Sequence, residues 1–505
     1  MNHPAAPPEG PSPMFSVKKP AVLRQDALAS LVVFLVALPL CVGVAVASGV
    51  PAELGLITGI VGGLVVGAMP GSTFQVSGPA AGLTVLVFEA VREFGLGMLG
   101  AIVLVTGLLQ LALGALRFGR WFRAISVAVV HGMLAGIGLV LLFGQLYTMA
   151  GVKQPRSGVE KIAGVPGLAV DIVTDGDALT AFAVGAATIA VLVLWKKLPG
   201  KAQLVPAPLV AVALATAVTA AGGLDIANVE VKGLLDAIQP PGLNDLTSLA
   251  SVAVLGTVLA FTLIASAESL FSAAAVDRMH DGPRTHYDKE LLAQGVGNTV
   301  CGVLGALPMT AVIVRSAANV QAGARTPLSR VLHGAWLLLF AVLLPAAIGI
   351  IPLAALAGVL VHAGCKLVPV KEIVPLWRDH RGEAVILAVT AVAIVTTSMF
   401  EGVVLGLLLA VVKSAWETSK VNLEVREDDG RMTVTLTGNA TFLRLPRILE
   451  TLEALPQDRP IELDLSPLRH VDHACRTALE TWAARHNDAD TEPVRLRHDR
   501  LTTVA

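Results

Sequence analysis

Long apolar runs, separated by short polar loops, fill the chain from residue 26 to residue 412. Most are close to the length at which a helix crosses the hydrocarbon core of a bilayer, about 20 residues. The pattern predicts about fourteen membrane segments. Their expected bounds are 26–48, 53–69, 74–93, 97–116, a fifth ending near 146, 179–194, 204–221, 250–276, 291–306, 307–319, an eleventh after 330, 351–367, 384–399 and 402–412.

Two of these segments are interrupted. The stretches 74–84 and 307–319 contain Pro79 and Pro308 among small residues inside apolar sequence. Irregular backbone at membrane depth is tolerated only where protein or a water-filled cavity surrounds it. Broken segments at corresponding positions of two halves point to the binding site of a transporter. If each begins a half-helix near the membrane midplane, two positive helix ends face one another and attract an anion.

The pattern changes after about residue 420 from long apolar runs to short alternating ones. Residues 421–436 alternate apolar and polar positions on both sides of E-D-D-G, which predicts a β-hairpin. A helix over 445–455, a strand over 461–465, a helix over 474–484 and a last strand over 494–496 are expected to follow. The chain is therefore predicted to end in a soluble α/β domain of about 85 residues.

Composition supports a membrane protein. Of the 505 residues, 54% are apolar and only 15% are charged, and the mean hydropathy is +0.72. An ordinary soluble domain is about 25% charged. The net charge of -1 gives no basis for nucleic-acid binding. The four cysteines have neither metal-ligand nor redox spacing, and no nucleophile–base constellation is evident, so no enzyme, metal or cofactor is predicted.

Lysine and arginine determine the expected orientation. Basic residues occur in the N-terminal tail, after segments four, six, eight, ten and twelve, and after the last segment. Excess Lys and Arg marks the cytoplasmic side, so both termini of this multi-pass protein of the cell (inner) membrane are predicted to be cytoplasmic. Seven segments per half is an odd number, which inverts the second half relative to the first. The expected domains are a tail (1–25), a first repeat (26–222), a connection (223–247), a second repeat (248–415) and the soluble domain (420–505).

Several stretches resemble the sulfate permease family of anion transporters, also called solute carrier family 26. The most specific is E-L-L-A-Q-G-V-G-N-T-V-C-G-V-L-G-A-L-P-M-T at residues 290–310, which continues through residue 329. The first segment's L-P-L-C-V-G-V-A-V-A-S-G-V-P and the fifth segment's G-M-L-A-G-I-G-L-V are also similar to family patterns. The C-terminal region resembles the STAS domain that sulfate transporters share with anti-sigma-factor antagonists.

The resemblance implies a fold and an assembly. The fold is a polytopic α-helical protein with a 7+7 inverted repeat, in which segments 1–4 and 8–11 form a core and segments 5–7 and 12–14 form a gate. The assembly is a homodimer in the lipid bilayer, with the anion site between the half-helices. His473 and Ala474 stand where antagonists carry a phosphorylatable residue, so the STAS domain is interpreted as a stability or assembly module, and a cytoplasmic partner for it is the alternative.

Glu268 is the sharpest single signal, because it lies deep in an apolar helix. An intramembrane carboxylate is a functional candidate by default, and burial favours the protonated form of a carboxyl group. We predict that Glu268 carries the coupling proton, with Ser272 one turn further along, and sodium is the alternative coupling ion. The resemblance also implies that a carboxylate here lies beside the substrate. A structural carboxylate that pairs with Lys or Arg, or caps the broken helix, is the competing interpretation.

Eight residues are predicted to contact the anion. Gln75 and Ser77 offer side-chain donors at the first half-helix, unless Ser77 only caps that helix. The backbone N–H groups of Thr310, Ala311 and Val312 are expected to donate from the other side.

The other three of these residues follow from the resemblance. Arg315 stands on the second half-helix, where the family often has a basic residue near the anion. Alternatively, Arg315 pairs with Glu268 or lines the cytoplasmic vestibule. Val44 and Ala80 fall where some relatives place aromatic rings against the anion, so small residues there indicate a roomier pocket.

These features predict a secondary active transporter of small anions that moves its core against its gate. A titratable Glu favours proton symport, and a roomy pocket with few fixed charges favours a small organic anion, with a C4-dicarboxylate such as fumarate as the leading candidate. Sodium-coupled bicarbonate or sulfate uptake and anion exchange are the alternatives. An anion channel and a proton–nucleobase symporter of the same architecture are further rivals, and the soluble tail argues against the second of them.

Overall fold

The structure is a computed structural model that describes residues 20–120, 126–195, 197–199, 205–231, 233–428, 431–456, 460–488 and 495–497. By its internal contacts the chain divides into two compact units, Met1–Gly406 and Leu407–Ala505. Most of the predicted N-terminal tail lies outside the described residues, as do residue 204 of the seventh predicted segment and residue 494 of the last predicted strand.

Helices make up most of the described chain before residue 420, as the apolar runs predict. The first half contains α1 (Pro20–Ala47), α2 (Ala52–Leu64), α3 (Thr84–Phe94), α4 (Leu96–Ala115), α5 (Val127–Met149), α6 (Gly158–Ala163), α7 (Val165–Thr174), α8 (Gly176–Trp195) and α9 (Ala207–Ala221). The second half contains α10 (Leu243–Ser248), α11 (Val252–Val276), α12 (Tyr287–Val303), α13 (Ile313–Gln321), α14 (Leu328–Leu343), α15 (Ala346–Gly349), α16 (Leu353–Leu367), α17 (Val370–Asp379), α18 (Arg381–Thr396) and α19 (Met399–Thr418).

The predicted membrane segments are confirmed. When the short helices α6, α7, α10, α15 and α17 are set aside, each remaining described helix matches one predicted segment, usually within a few residues. Within the described residues, seven helical stretches are long and apolar enough to cross a bilayer by themselves. The short helices were not predicted, because each is too brief to show a clear apolar period in the sequence.

The helices pack as the two predicted groups. In the core, α4 packs against α11 and α12, and α2 packs against α1 and α14. In the gate, α5 packs against α16 and α18, and α8 packs against α9 and α16. Glycines let α4 and α12 approach closely: a Cβ at Gly107 or Gly302 would collide with the backbone of the other helix.

Both interrupted segments contain a short strand followed by a short helix. The strands β1 (Ser77–Pro79) and β2 (Met309–Ala311) pair in antiparallel register, with Gly78 opposite Thr310. A 3-10 turn (Ala81–Leu83) connects β1 to α3, which has 11 residues, while α13 has 9. A helix needs about 20 residues to span the membrane, so α3 and α13 are the predicted half-helices.

The C-terminal unit is a small α/β fold. Its strands are β3 (Val421–Asp428), β4 (Arg431–Ala440), β5 (Ile461–Asp464), β6 (Leu468–Val471) and β7 (Arg495–Arg497), and its helices are α20 (Leu445–Glu453) and α21 (His473–Asp488). The strand order is β3-β4-β5-β7, and β6 also pairs with β4. The predicted hairpin is present as the antiparallel pair β3 and β4. The sequence analysis missed β6, because the two residues in its middle are exposed and polar.

Asp472 fixes the start of α21 in this unit. Its Oδ1 accepts a hydrogen bond from the Cys475 N–H at 2.8 Å, and its Oδ2 accepts one from the Phe442 N–H at 2.6 Å. Burial alone would raise the pKa of this carboxyl group, but the hydrogen bonds from Cys475 and Phe442, with the nearby charge of His470, outweigh burial and lower the pKa below its usual range. Burial raises the pKa of the nearby Cys475 thiol to about 12, so that thiol stays protonated and unreactive.

We expect Asp472→Ala to destabilise the C-terminal unit by about 1–2 kcal/mol, the usual cost of losing a helix cap. Because the folded pKa is lowered, the contribution is fully present above the unfolded pKa of about 3.9 and is lost as the pH falls through the folded pKa. Hydrogen exchange of β4 and α21 amides in the full chain at neutral pH should accelerate about tenfold. Glu480→Ala, at an exposed position on α21, is the control, and equal exchange in both variants would contradict the capping role.

Candidate functional site

The candidate site is built around the strand pair β1 and β2, whose residues are all buried. The register continues beyond the strands, since the Val312 N–H donates to the Val76 carbonyl at 2.9 Å. Because the strands are antiparallel, the helical segments that follow them start at opposite ends of the pair. No side chain caps either start.

Each helical start presents backbone donors. The N–H groups in the first turn of a helix have no acceptor inside that helix. Ala81 and Gly82 open the turn that leads into α3, and Ile313 and Val314 open α13. The helix dipole adds a partial positive charge at each of these points. Each helical start can therefore bind an anion, one at each end of the strand pair. We call these two groups of N–H donors, at Ala81 and Gly82 and at Ile313 and Val314, the cradles.

Gln75 and Ser77, predicted as side-chain donors, are both buried and held in place. The Gln75 Nε2 donates to the Ser269 carbonyl at 2.9 Å. The Ser77 hydroxyl accepts a hydrogen bond from the Gln294 Nε2 at 2.7 Å. The alternative in which Ser77 only caps the first half-helix is therefore wrong, because its hydroxyl is engaged with α12 and the helix has no side-chain cap.

The amides predicted as donors on the other side are largely used within the protein. The Ala311 N–H donates to the Ser269 Oγ at 3.2 Å, and the Val312 N–H is engaged by the Val76 carbonyl. Thr310 is fully buried within the strand pair. The reason is local conformation: residues 309–311 form a strand, whose N–H groups point sideways to neighbouring segments. The donors left for an anion are those of the next residues, Ile313 and Val314.

Arg315 lies against the strand pair rather than at its end. The side chain is fully buried, and its Nη2 donates to the Pro79 carbonyl at 3.2 Å. A Cβ added at Gly78 would collide with the Arg315 Nη1, so the guanidinium rests on the backbone of β1. The Nε and Nη1 atoms have no hydrogen-bond partner among the described residues. No ion pair of the described chain joins Arg315 to Glu268, so the alternative in which these two side chains pair does not fit.

Glu268 reaches the first helical start from α11. A Cβ added at Gly82 would lie 2.6 Å from the Glu268 Oε1, so the carboxyl group contacts the Gly82 Cα. Its Oε2 is buried without a hydrogen-bond partner among the described residues, while the side chain as a whole is partly accessible. Neither competing interpretation fits, because Glu268 caps no helix and joins no ion pair in the described part of the chain.

The remaining predicted residues lie close to this arrangement. Val44 is 3% exposed on α1, a helix that packs against β1 and α13. Ala80 is 2% exposed and connects β1 to the 3-10 turn. Ser272 is buried one turn beyond Glu268. The small side chains of Val44 and Ala80 bring no aromatic ring to the strand pair.

The sequence analysis missed a row of polar side chains along α12. Glu290, Gln294 and Asn298 repeat every four residues and so share one face of this membrane helix. The Gln294 Nε2 donates to the Glu290 Oε1 at 2.9 Å as well as to Ser77, and the Asn298 Oδ1 accepts from the Met309 N–H at 2.7 Å. This row fixes both strands in place. Its spacing in an apolar segment is the signal that could have revealed it.

Comparison of sequences identifies relatives along most of the chain. The profile of the sulfate permease family matches residues 23–390. The chain is 29% identical to YvdB of Bacillus subtilis over 77% of this chain and 73% of that protein. It is 27% identical to the bicarbonate transporter BicA of Synechocystis over 68% of this chain and 61% of BicA. It is 26% identical to the sodium-independent sulfate anion transporter of Bos taurus over 90% of this chain and 78% of that protein.

Solved structures share the fold. The murine Solute Carrier 26 family member A9 anion transporter in the inward-facing state matches with a TM-score of 0.80 and 16% identity, over 95% of this chain and 86% of that one. The transmembrane domain of the cyanobacterial bicarbonate transporter BicA matches with a TM-score of 0.64 and 24% identity, over 78% of this chain and 98% of that one.

Proposed function

Because the chain belongs to the sulfate permease family of anion transporters, we propose that it couples the uptake of a small anion to a proton, as a symporter. The leading substrate is a C4-dicarboxylate such as fumarate. The core, which holds the strand pair, moves against the gate so that the site opens to each side of the membrane in turn. Both termini are expected to lie in the cytoplasm. The protein is expected to form a homodimer, and its C-terminal unit to bind a cytoplasmic partner.

The single observation that carries the coupling proposal is the contact between the Glu268 carboxyl group and Gly82 at the first helical start. A negative charge on Glu268 would repel an anion bound at the Ala81 and Gly82 amides. Protonation removes that repulsion, so the proton and the anion each favour binding of the other. A carrier with this linkage moves both together.

The substrate class is inferred from the space beside the two helical starts. Because β1 and β2 are antiparallel, the cradles at Gly82 and Val314 flank the strand pair at opposite ends. The three-residue strands hold the two cradles about 10 Å or more apart, so a C4-dicarboxylate occupies one cradle, and the small side chains of Val44 and Ala80 leave room for the rest of the molecule. The names of the relatives favour sulfate or bicarbonate instead, and these two anions are the competing substrates.

Uptake into proteoliposomes, with pH and sodium gradients varied separately, tests the proposal. We expect labelled fumarate to accumulate when the outside is more acidic, by about tenfold per pH unit for each coupled proton. Uptake should saturate and show counterflow, as expected for a carrier. Accumulation of sulfate or bicarbonate alone would overturn the substrate class, and accumulation driven only by sodium would overturn the proton coupling.

A further inference from the structure

A basic cavity lies where α4 and α11 end and α12 begins. Its volume is about 1060 Å³. The basic residues that line it are Arg117, Arg120, Arg278, Arg284 and Lys289. No ion pair of the described chain includes any of them.

The acidic residues of this cavity do not neutralise it. The described lining of the cavity contains two carboxylates, Asp277 and Asp288. The Asp277 carboxylate accepts hydrogen bonds from the Thr285 N–H at 3.1 Å and from the Thr285 hydroxyl at 2.8 Å. Arg284 donates to the Asp277 carbonyl oxygen, which leaves the charge of its guanidinium uncompensated. The cavity therefore keeps a clear excess of positive charge, which suits a phosphate group.

Arg117 carries a second, independent signal. Its φ of 62° is the only positive value at a non-glycine residue of the described chain. It stands just past the end of α4, where helices usually place glycine, so the backbone there is strained for an arginine. The chain thus places a guanidinium in the cavity from a backbone position that favours glycine.

Apolar neighbours indicate which phosphate compound fits. Leu116 is 68% exposed and Phe118 is 41% exposed, on either side of Arg117, and Met279 is 43% exposed beside Arg278. Exposed apolar side chains that directly adjoin cavity-lining arginines in the chain match a molecule with an anionic head and apolar tails. The Lys and Arg distribution also assigns this loop face to the cytoplasmic side.

We propose that the cavity binds the phosphate headgroup of an anionic phospholipid from the cytoplasmic leaflet. The guanidinium groups contact the phosphate, and the acyl chains lie over Leu116, Phe118 and Met279. All the elements that form the cavity belong to the core, so the lipid would bind to the part of the protein that carries the strand pair. The proposal does not depend on the substrate or on Glu268.

Native mass spectrometry of the purified full chain, with phosphatidylglycerol or phosphatidylcholine added, tests this site. We expect phosphatidylglycerol to bind preferentially to the unmodified protein. The double variant Arg117→Gly with Arg278→Gln should bind it about thirtyfold more weakly, since each basic residue near an anionic lipid contributes about 1 kcal/mol. Arg117→Gly alone should not lower the Tm, because the backbone there already favours glycine.

The control is Arg378→Gln with Arg381→Gln, which removes two exposed basic residues outside the cavity. Lipid binding should not change in that protein. Equal retention of both lipids by the unmodified protein, or equal losses in the two double variants, would overturn the proposal. Displacement of phosphatidylglycerol by millimolar inorganic phosphate would also overturn it, because the site would then bind free phosphate.

Discussion

Glu268→Gln is expected to separate anion movement from the proton gradient. The variant should exchange labelled anion for unlabelled anion across proteoliposomes, because glutamine preserves the shape and the contact with Gly82. It should no longer accumulate anion under an inward proton gradient, since the amide takes up no proton at physiological pH. The expected loss is the whole pH-driven accumulation, about tenfold per pH unit for each proton.

Glu290→Gln is the matched control for that experiment. Glu290 is also a buried carboxylate of the core, but its oxygens accept hydrogen bonds from the Ser72 N–H and the Gln294 Nε2, both at 2.9 Å. The Glu290→Gln substitution should lower the thermal stability of the protein and leave the coupling of anion uptake to the proton gradient intact. Glu268→Gln protein that still accumulates anion in full proportion to the pH gradient would exclude Glu268 as the coupling group.

Gly78→Val is expected to weaken anion binding at least tenfold. The added side chain must displace the Arg315 guanidinium, which is fully buried and has little room to move. Overpacking of this kind costs about 1–3 kcal/mol, and the displaced charge no longer rests on β1. Valine is a good strand former, so strand propensity does not account for the effect. Anion affinity by calorimetry and Tm on the same sample measure the two consequences.

Gly256→Val provides the comparison for this substitution. Gly256 lies on α11, the helix that carries Glu268, and a Cβ added there meets no atom within 4 Å. Anion affinity and Tm should change little in that variant. Unchanged affinity in Gly78→Val would show that Arg315 has no influence on the anion.

The membrane helices could be predicted closely because one physical requirement sets them. A bilayer fixes the length of a spanning helix, and hydropathy reports that length directly, as α4 and α11 illustrate. The breaks near Pro79 and Pro308 were also visible, since proline is out of place in an apolar helix. The sequence did not reveal that each break forms a β-strand, because the pairing of each strand depends on a partner in the other half of the chain.

The side-chain roles were only partly predictable for the same reason. Glu268 stood out because a carboxylate is costly in an apolar segment. The Ser269 hydroxyl, which occupies the Ala311 amide, gave no signal, since serine is common in membrane helices. The strained backbone of Arg117 leaves no trace in the sequence at all. Local patterns thus predicted the elements, and long-range contacts decided which groups remain available to a ligand.

Proton uptake on anion binding tests the central claim most directly. Purified protein in weak buffer at slightly alkaline pH is titrated with fumarate, sulfate or bicarbonate while the pH is recorded. We expect binding of the transported anion to add about one proton to the unmodified protein and almost none to the Glu268→Gln variant. The reason is that the anion and the proton bind together beside Gly82. Anion binding without proton uptake, or equal uptake by both proteins, would contradict the account.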